Sequence, residues 1–130
     1  MRLFLLLTTL LFPLILQAEL APSAYEAMQA KAPEFIRIEV LRVDLELGAD
    51  SSQQKIHVVA LVSSVTRTAT NLKADEIINI LYTINNRPAG WVGPGGIPLL
   101  SEKDQTVAYL AKTETNDFVP VAGRMSFSNF

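Results

Sequence analysis

Residues 34–47 read EFIRIEVLRVDLEL, a stretch in which apolar and polar side chains alternate with a period of two. Such alternation is typical of a β-strand with one buried face. The apolar set changes parity midway and consists of Ile36, Ile38 and Val40, then Leu41, Val43, Leu45 and Leu47. In a regular strand this change would turn half of the set toward water, whereas one extra residue near Val40 and Leu41, inserted as a β-bulge, keeps both halves on the core side. The stretch therefore predicts one long, bent strand that serves two sides of a closed barrel.

Four further strands and one helix are predicted from the rest of the chain. The strand segments are 55–66 (KIHVVALVSSVT), 76–85 (EIINILYTIN), 106–112 (TVAYLAK) and 118–127 (FVPVAGRMSF). Pro120 and Gly123 restrict the last of these to a sheet edge or interrupt it. Residues 23–31 (SAYEAMQAK) predict a short N-terminal helix, with Ser23 and Glu26 at capping-box spacing. This content predicts a mainly β domain, a small five-stranded Greek-key barrel of the OB type.

The first 18 residues, MRLFLLLTTLLFPLILQA, have the composition of a secretory signal peptide. Arg2 precedes an apolar run, and Ala18 supplies the small residue at the expected cleavage site. The run is shorter than the roughly 20 apolar residues of a membrane-spanning helix. We therefore expect residues 1–18 to be removed and residues 19–130 to form a single exported domain, periplasmic or extracellular, with no membrane span in the mature chain.

The charge of the chain bears on its possible partners, and its lack of cysteine bears on how the domain is stabilised. Loss of Arg2 leaves ten basic residues against thirteen acidic ones, a net charge of −3. The basic residues are interleaved with acids rather than clustered, which argues against nucleic acid as a partner. The chain contains no cysteine, so packing alone must hold the exported domain together.

Few residues offer catalytic or metal-binding chemistry. His57 is the only histidine and lies within an apolar strand segment, where a solvated or hydrogen-bonded surface residue is the expected role. Glu39, Asp44 and Glu46 could in principle supply the paired carboxylates of a hydrolase, and strand alternation puts Asp44 and Glu46 on one face. Transition-metal sites need histidine and cysteine at close spacing. We predict no cofactor, no metal and no enzymatic activity.

The only tryptophan, Trp91, lies in the segment 89–100, AGWVGPGGIPLL. Glycines at 90, 93, 95 and 96 allow unusual backbone angles, whereas Pro94 and its neighbouring prolines restrict others, so the segment is predicted to be a loop of defined shape. In one interpretation Trp91, with Arg87 and Pro94 beside it, anchors a partner or ligand, because tryptophan is enriched at binding hot spots. In the other, Trp91 folds back and closes one end of the barrel.

A family resemblance is carried by the segments LKADEIINI, IPLL and AYLAK. Its main residues are Leu72, Asp75, Leu100, Tyr109 and Leu110. In this layout, from Phe35 to Ala111, the chain resembles the netrin-like and metalloproteinase-inhibitor (TIMP-type) OB domains. Ala74 and Asp104 stand where those families usually have glycine, and their cysteines are missing. The resemblance implies the OB fold and transfers no inhibitory residue.

Together these features predict an exported, non-enzymatic binding or accessory protein that contacts another envelope or extracellular protein. One alternative is a small-ligand or carbohydrate binder that uses Trp91 as a stacking platform. Another is a carboxylate-based hydrolase. Neither the partner nor the oligomeric state follows from the sequence.

Overall fold

The alternating segments form strands, and the computed structural model describes residues 21–48, 52–85 and 96–128. The elements in chain order are helix α1 (Pro22–Lys31), then strands β1 (Glu34–Leu47), β2 (Gln53–Arg67), β3 (Ile77–Asn85), β4 (Gln105–Lys112) and β5 (Phe118–Pro120), followed by a 3₁₀ turn (Gly123–Met125). The segment predicted to be the signal peptide lies outside the described residues, as do residues 49–51 and residues 86–95, which include the first part of the tryptophan segment.

The five strands close into a barrel in the order β1, β2, β3, β5, β4. Neighbouring strands are antiparallel except β3 and β5, which run parallel where Ile80 lies beside Phe118. Strand β1 closes the barrel because its first part, from Glu34 to Glu39, pairs with β4, while β2 pairs with it from Phe35 to Leu47 except at Leu41. The predicted mainly β, five-stranded OB-like barrel is confirmed.

The predicted bulge lies at Leu41. Val40 pairs with Ala60 and Arg42 pairs with Val59, so Leu41 has no partner in β2. Downstream of the bulge Val43 packs against the core, as expected. Leu45 and Leu47 do not, since they are 54% and 66% exposed. The reason is the length of β4. This strand begins opposite Glu39, so β1 beyond residue 41 runs past the closed part of the barrel.

The core fills the barrel with the inward-facing side chains of all five strands and is capped by loop residues. Its buried members are Ile36, Ile38, Val40, Ile56, Val58, Ala60, Val62, Leu72, Ile78, Ile80, Tyr82, Leu100, Ala108, Leu110, Phe118 and Phe127. Most are β-branched or aromatic, the residue types that suit a pleated, half-buried surface.

A second apolar cluster lies on the outside of β4, beneath α1. It contains Ala32, Val107, Tyr109 and Ala122, with Met28, Phe35 and Val121 at its margin. The Phe35 and Tyr109 rings are stacked with centroids 4.5 Å apart. Arg67 fixes the end of the helix by donating to the carbonyl oxygens of Gln29 and Ala32 at 2.7 and 2.9 Å.

Two local expectations differ from the structure. Helix α1 begins at Pro22, its N-cap is Ala21, and no side chain caps it, so the capping box expected from Ser23 and Glu26 is not formed. Proline is favoured in the first turn because its missing N–H has no helical partner there. Strand β5 covers only the first three residues of the predicted segment 118–127 and ends at Pro120, one of the two residues expected to interrupt it. The chain turns at Gly123, whose φ of 55° is a left-handed conformation that glycine adopts without strain.

No helix within the described part of the chain is both long and apolar enough to cross a membrane.

Candidate functional site

The outer face of β1, β2 and β3 carries two rows of side chains set by the strand register. Asp44 lies opposite His57, and His57 lies opposite Leu81. The second row, two residues away on each strand, runs through Glu46, Lys55 and Thr83. Successive side chains of a strand point to opposite faces. Both rows therefore point away from the core, while Ile56 and Tyr82, which alternate with them, are buried.

These rows line a groove of about 570 Å³, closed on one side by Val119 of β5. Val119 lies beside Leu81 because the neighbouring pair, Ile80 and Phe118, is where β3 and β5 meet. The volume is within the range of small-molecule pockets. The groove joins an apolar part, Leu81 and Val119, to a charged part from β1 and β2.

His57 is held in place by its neighbours. Its Nε2 lies 2.8 Å from Oδ1 of Asn79, and its Nδ1 lies 4.0 Å from Oδ2 of Asp44. Asp44 accepts a hydrogen bond from Nε of Arg42 at 3.1 Å. The contact with Asn79 orients the imidazole within the groove wall. It fits the expectation of a hydrogen-bonded surface histidine.

Two of the three carboxylates named from the sequence come together. Asp44 and Glu46 line the same groove, as strand alternation indicated. Glu39 lies apart, because it precedes the bulge and pairs with Leu61 and Gln105. Both groove carboxylates are exposed, and Asp44 is engaged by Arg42 in a surface ion pair. A glycosidase acid instead needs a desolvated site that raises its pKa.

Residues 21–48, 52–85 and 96–128 were compared with the requirement of a metal site for several nearby ligands. No group of three histidine, aspartate or glutamate side chains there is arranged to hold a metal ion.

The site residues predicted from the sequence, Trp91, Arg87 and Pro94, lie outside the described residues. The structure describes only what flanks them. Asn85 ends β3 beside Gln53 of β2, and the described chain resumes at Gly96. Tyr82 donates its hydroxyl hydrogen to the carbonyl oxygen of Pro98 at 2.8 Å, which fixes the returning chain. Both interpretations of Trp91, partner anchor and barrel plug, stay predictions.

Sequence reasoning did not find the groove, although it named several of its residues. Period-two alternation assigns Asp44, Glu46 and His57 to outer faces. Which outer residues become neighbours depends on the register between strands, and alternation leaves the register free in steps of two. Here the register between β1 and β2 changes at three places, one of them the bulge at Leu41.

Comparison with protein-family models, with curated proteins and with solved structures gives no match for this chain.

Proposed function

We propose that this chain is an exported, non-enzymatic binding module that receives a segment of another envelope or extracellular protein in the outer groove. The observation that carries the proposal is the composition of the groove. Leu81 and Val119 offer an apolar contact, and Asp44, Glu46 and Lys55 offer charges beside it. Protein interfaces combine an apolar centre with a polar rim in this way.

The groove also suggests the chemistry of the bound segment. An extended segment would place an apolar side chain against Leu81 and Val119 and a basic side chain beside Glu46. The outer face of strands 2 and 3 is the surface that OB barrels commonly use for ligands. Oligonucleotides fit poorly, because carboxylates repel phosphates and phosphate contacts supply most nucleic-acid affinity.

The groove favours a protein segment over a carbohydrate. Sugar binding usually relies on an open aromatic face. The aromatic residue that borders this groove, Tyr82, is buried and uses its hydroxyl on Pro98. Carbohydrate binding through Trp91 therefore remains an alternative that rests on a residue outside the described part of the chain.

A peptide-display selection on the immobilised protein tests the proposal. Selected peptides should share an apolar residue next to a lysine or arginine. Leu81→Lys should weaken their binding by about tenfold or more, since it puts a charge on the apolar contact. The matched control is Ile77→Lys, an exposed residue on the outer face of the same strand. Its effect should be small.

Equal binding by the two variants, or failure to select any peptide, contradicts the proposal. A glycan array run in parallel tests the alternative, which would be favoured by sugar binding that Trp91→Ala abolishes and Leu81→Lys leaves intact.

A further inference from the structure

The far half of β1 is a strand edge with no partner strand among the described residues. Residues 41–47 pair with β2 on one side, but β4 pairs only with residues 34–39. The last contacts on that side join Val40 to Lys103 and Asp104 through two backbone hydrogen bonds of 2.8 Å. Beyond Val40 the residues that the structure describes make no backbone hydrogen bond on this side of β1, and unpaired edge groups of this kind can pair with another strand.

Of the usual protections of an edge strand, this edge has the bulge at Leu41 and outward-pointing charges but lacks the others. Natural proteins blunt edge strands with proline, lysine or inward-pointing charges. Residues 41–47, LRVDLEL, contain no proline and no lysine, and their charges lie on the outer face. On the other face Leu45 and Leu47 are more than half exposed, and Leu41 at the bulge is 41% exposed.

We propose that this edge pairs antiparallel with the same edge of a second copy of the chain, extending the sheet across a two-fold axis at Asp44. This inference goes beyond the proposed function and does not use the contact at Leu81. In this register Val43 faces Leu45 of the second copy, and Leu41 faces Leu47 of the second copy. All three exposed leucines of β1 thus gain an apolar neighbour.

Charge complementarity supports the same register. Arg42 faces Glu46 of the second copy, and the symmetry repeats this opposite-charge pair. The like-charged contact, Asp44 against Asp44 of the second copy, is offset because each Asp44 binds its own Arg42 at 3.1 Å. Opposite charges directly across a strand pair stabilise it, and like charges destabilise it.

The neighbouring registers are excluded by packing or charge. An axis at Val43 would place Leu47 of the second copy against Glu39, whose edge is already paired with Gln105. An axis at Leu45 would place Asp44 opposite Glu46 of the second copy twice. A pairing shifted by a single residue, with the axis between two residues, would place the apolar face of one copy on the same side of the sheet as the charged face of the other.

A charge-swap experiment tests the pairing, with the oligomeric state measured by sedimentation equilibrium over a range of concentrations. The unmodified protein should form dimers. Arg42→Glu and Glu46→Arg should each raise the dimer dissociation constant by about tenfold or more, because each puts like charges opposite one another twice. An equimolar mixture of the two variants should form a one-to-one dimer, since every introduced charge then faces its opposite. Both positions are exposed, so folding should be retained.

Asp44→Asn provides a second, independent variant and should tighten the dimer by removing the central repulsion. Leu81→Lys should leave the dimer unchanged, which separates this inference from the proposed function. A protein that stays monomeric at all concentrations, or a dimer that neither swap weakens, would overturn the proposal.

Discussion

The side-chain amide of Gln29 donates to the backbone carbonyl oxygen of Met125 at 2.9 Å and so ties helix α1 to the 3₁₀ turn. The same amide donates to the carbonyl oxygen of Ser128 at 2.7 Å. Gln29 and Tyr25 are the buried residues of the helix. The helix is therefore held to the barrel by a buried polar contact as well as by the apolar cluster under it.

Replacing Gln29 should loosen this attachment. Gln29→Ala leaves two carbonyl oxygens without their donor, and the expected loss in the free energy of unfolding is about 1–3 kcal/mol. Glu26→Ala, at an exposed position of the same helix, is the control and should change stability by less than about 0.5 kcal/mol. Urea denaturation of both variants makes the comparison. Equal stabilities would show that the Gln29 contacts contribute nothing.

A pair of isoleucines on β3 tests the position of the core. Ile80 is fully buried and Ile77 is 61% exposed. Ile80→Ala should cost about 2–5 kcal/mol, because it removes buried methyl groups and leaves a cavity. Ile77→Ala should cost less than about 1 kcal/mol. Thermal or urea unfolding gives both values, and similar losses would contradict the assignment of the inner face of β3.

Deleting Leu41 tests the role of the bulge. Leu41 has no partner in β2, so its deletion permits every β1–β2 pair to be kept and makes the alternation from Ile36 to Leu47 regular. It also removes the bend at the point where β1 leaves β4. We expect the deletion to lower the free energy of unfolding by about 1–3 kcal/mol, whereas Leu41→Ala, at a partly exposed position, stays within about 1 kcal/mol. A deletion variant as stable as Leu41→Ala would show that the barrel closes without the bulge.

Tyr82 predicts a loss of stability at high pH. Burial raises the pKa of Tyr82 from its ordinary 10.0 to about 12, and a backbone hydrogen bond with Leu100 lowers it in part. Because the unfolded chain loses this proton first, the stabilising contribution of Tyr82 should be fully present and independent of pH below about pH 10, and the free energy of unfolding should fall as pH rises from about 10 to about 12.

The control for this prediction is Tyr82→Phe. It should flatten the decline between pH 10 and about 12, and at neutral pH it should lower stability because the Pro98 carbonyl oxygen loses its donor. Burial also raises the pKa of Tyr109, against a smaller lowering by Arg67, so part of the decline should persist in the variant. Urea unfolding across this pH range measures both. An unchanged decline in Tyr82→Phe would contradict the assignment.

Much of the barrel follows from local sequence patterns. The change of parity at Val40 and Leu41 located the bulge, and the alternating segments located the four longer strands. Alternation could not show that Leu45 and Leu47 lie beyond the closed barrel, because their exposure depends on where β4 begins. The early end of β5 likewise depends on the left-handed turn at Gly123, which packs beside Tyr25 of the helix.

Less of the candidate site than of the barrel could be predicted from the sequence. Trp91, Arg87 and Pro94 are predicted because glycines, prolines and a lone indole stand out in a sequence, and they lie outside the described residues. Asp44, His57 and Leu81 form a row only because three strands align in one register. That alignment is a long-range property of the closed barrel.

The pairing of Glu34 with Leu110, together with the contacts of Gln29 with Met125 and Ser128, constrains the order of folding. A partly synthesised chain can form the β1–β2 hairpin, but it cannot close the barrel or seat the helix. The valine- and isoleucine-rich inner face of β2 is therefore exposed until nearly all of these residues have been synthesised and are free to fold. During that interval the nascent chain should aggregate readily and depend on a chaperone, and its final folding step should be slow because it joins distant segments.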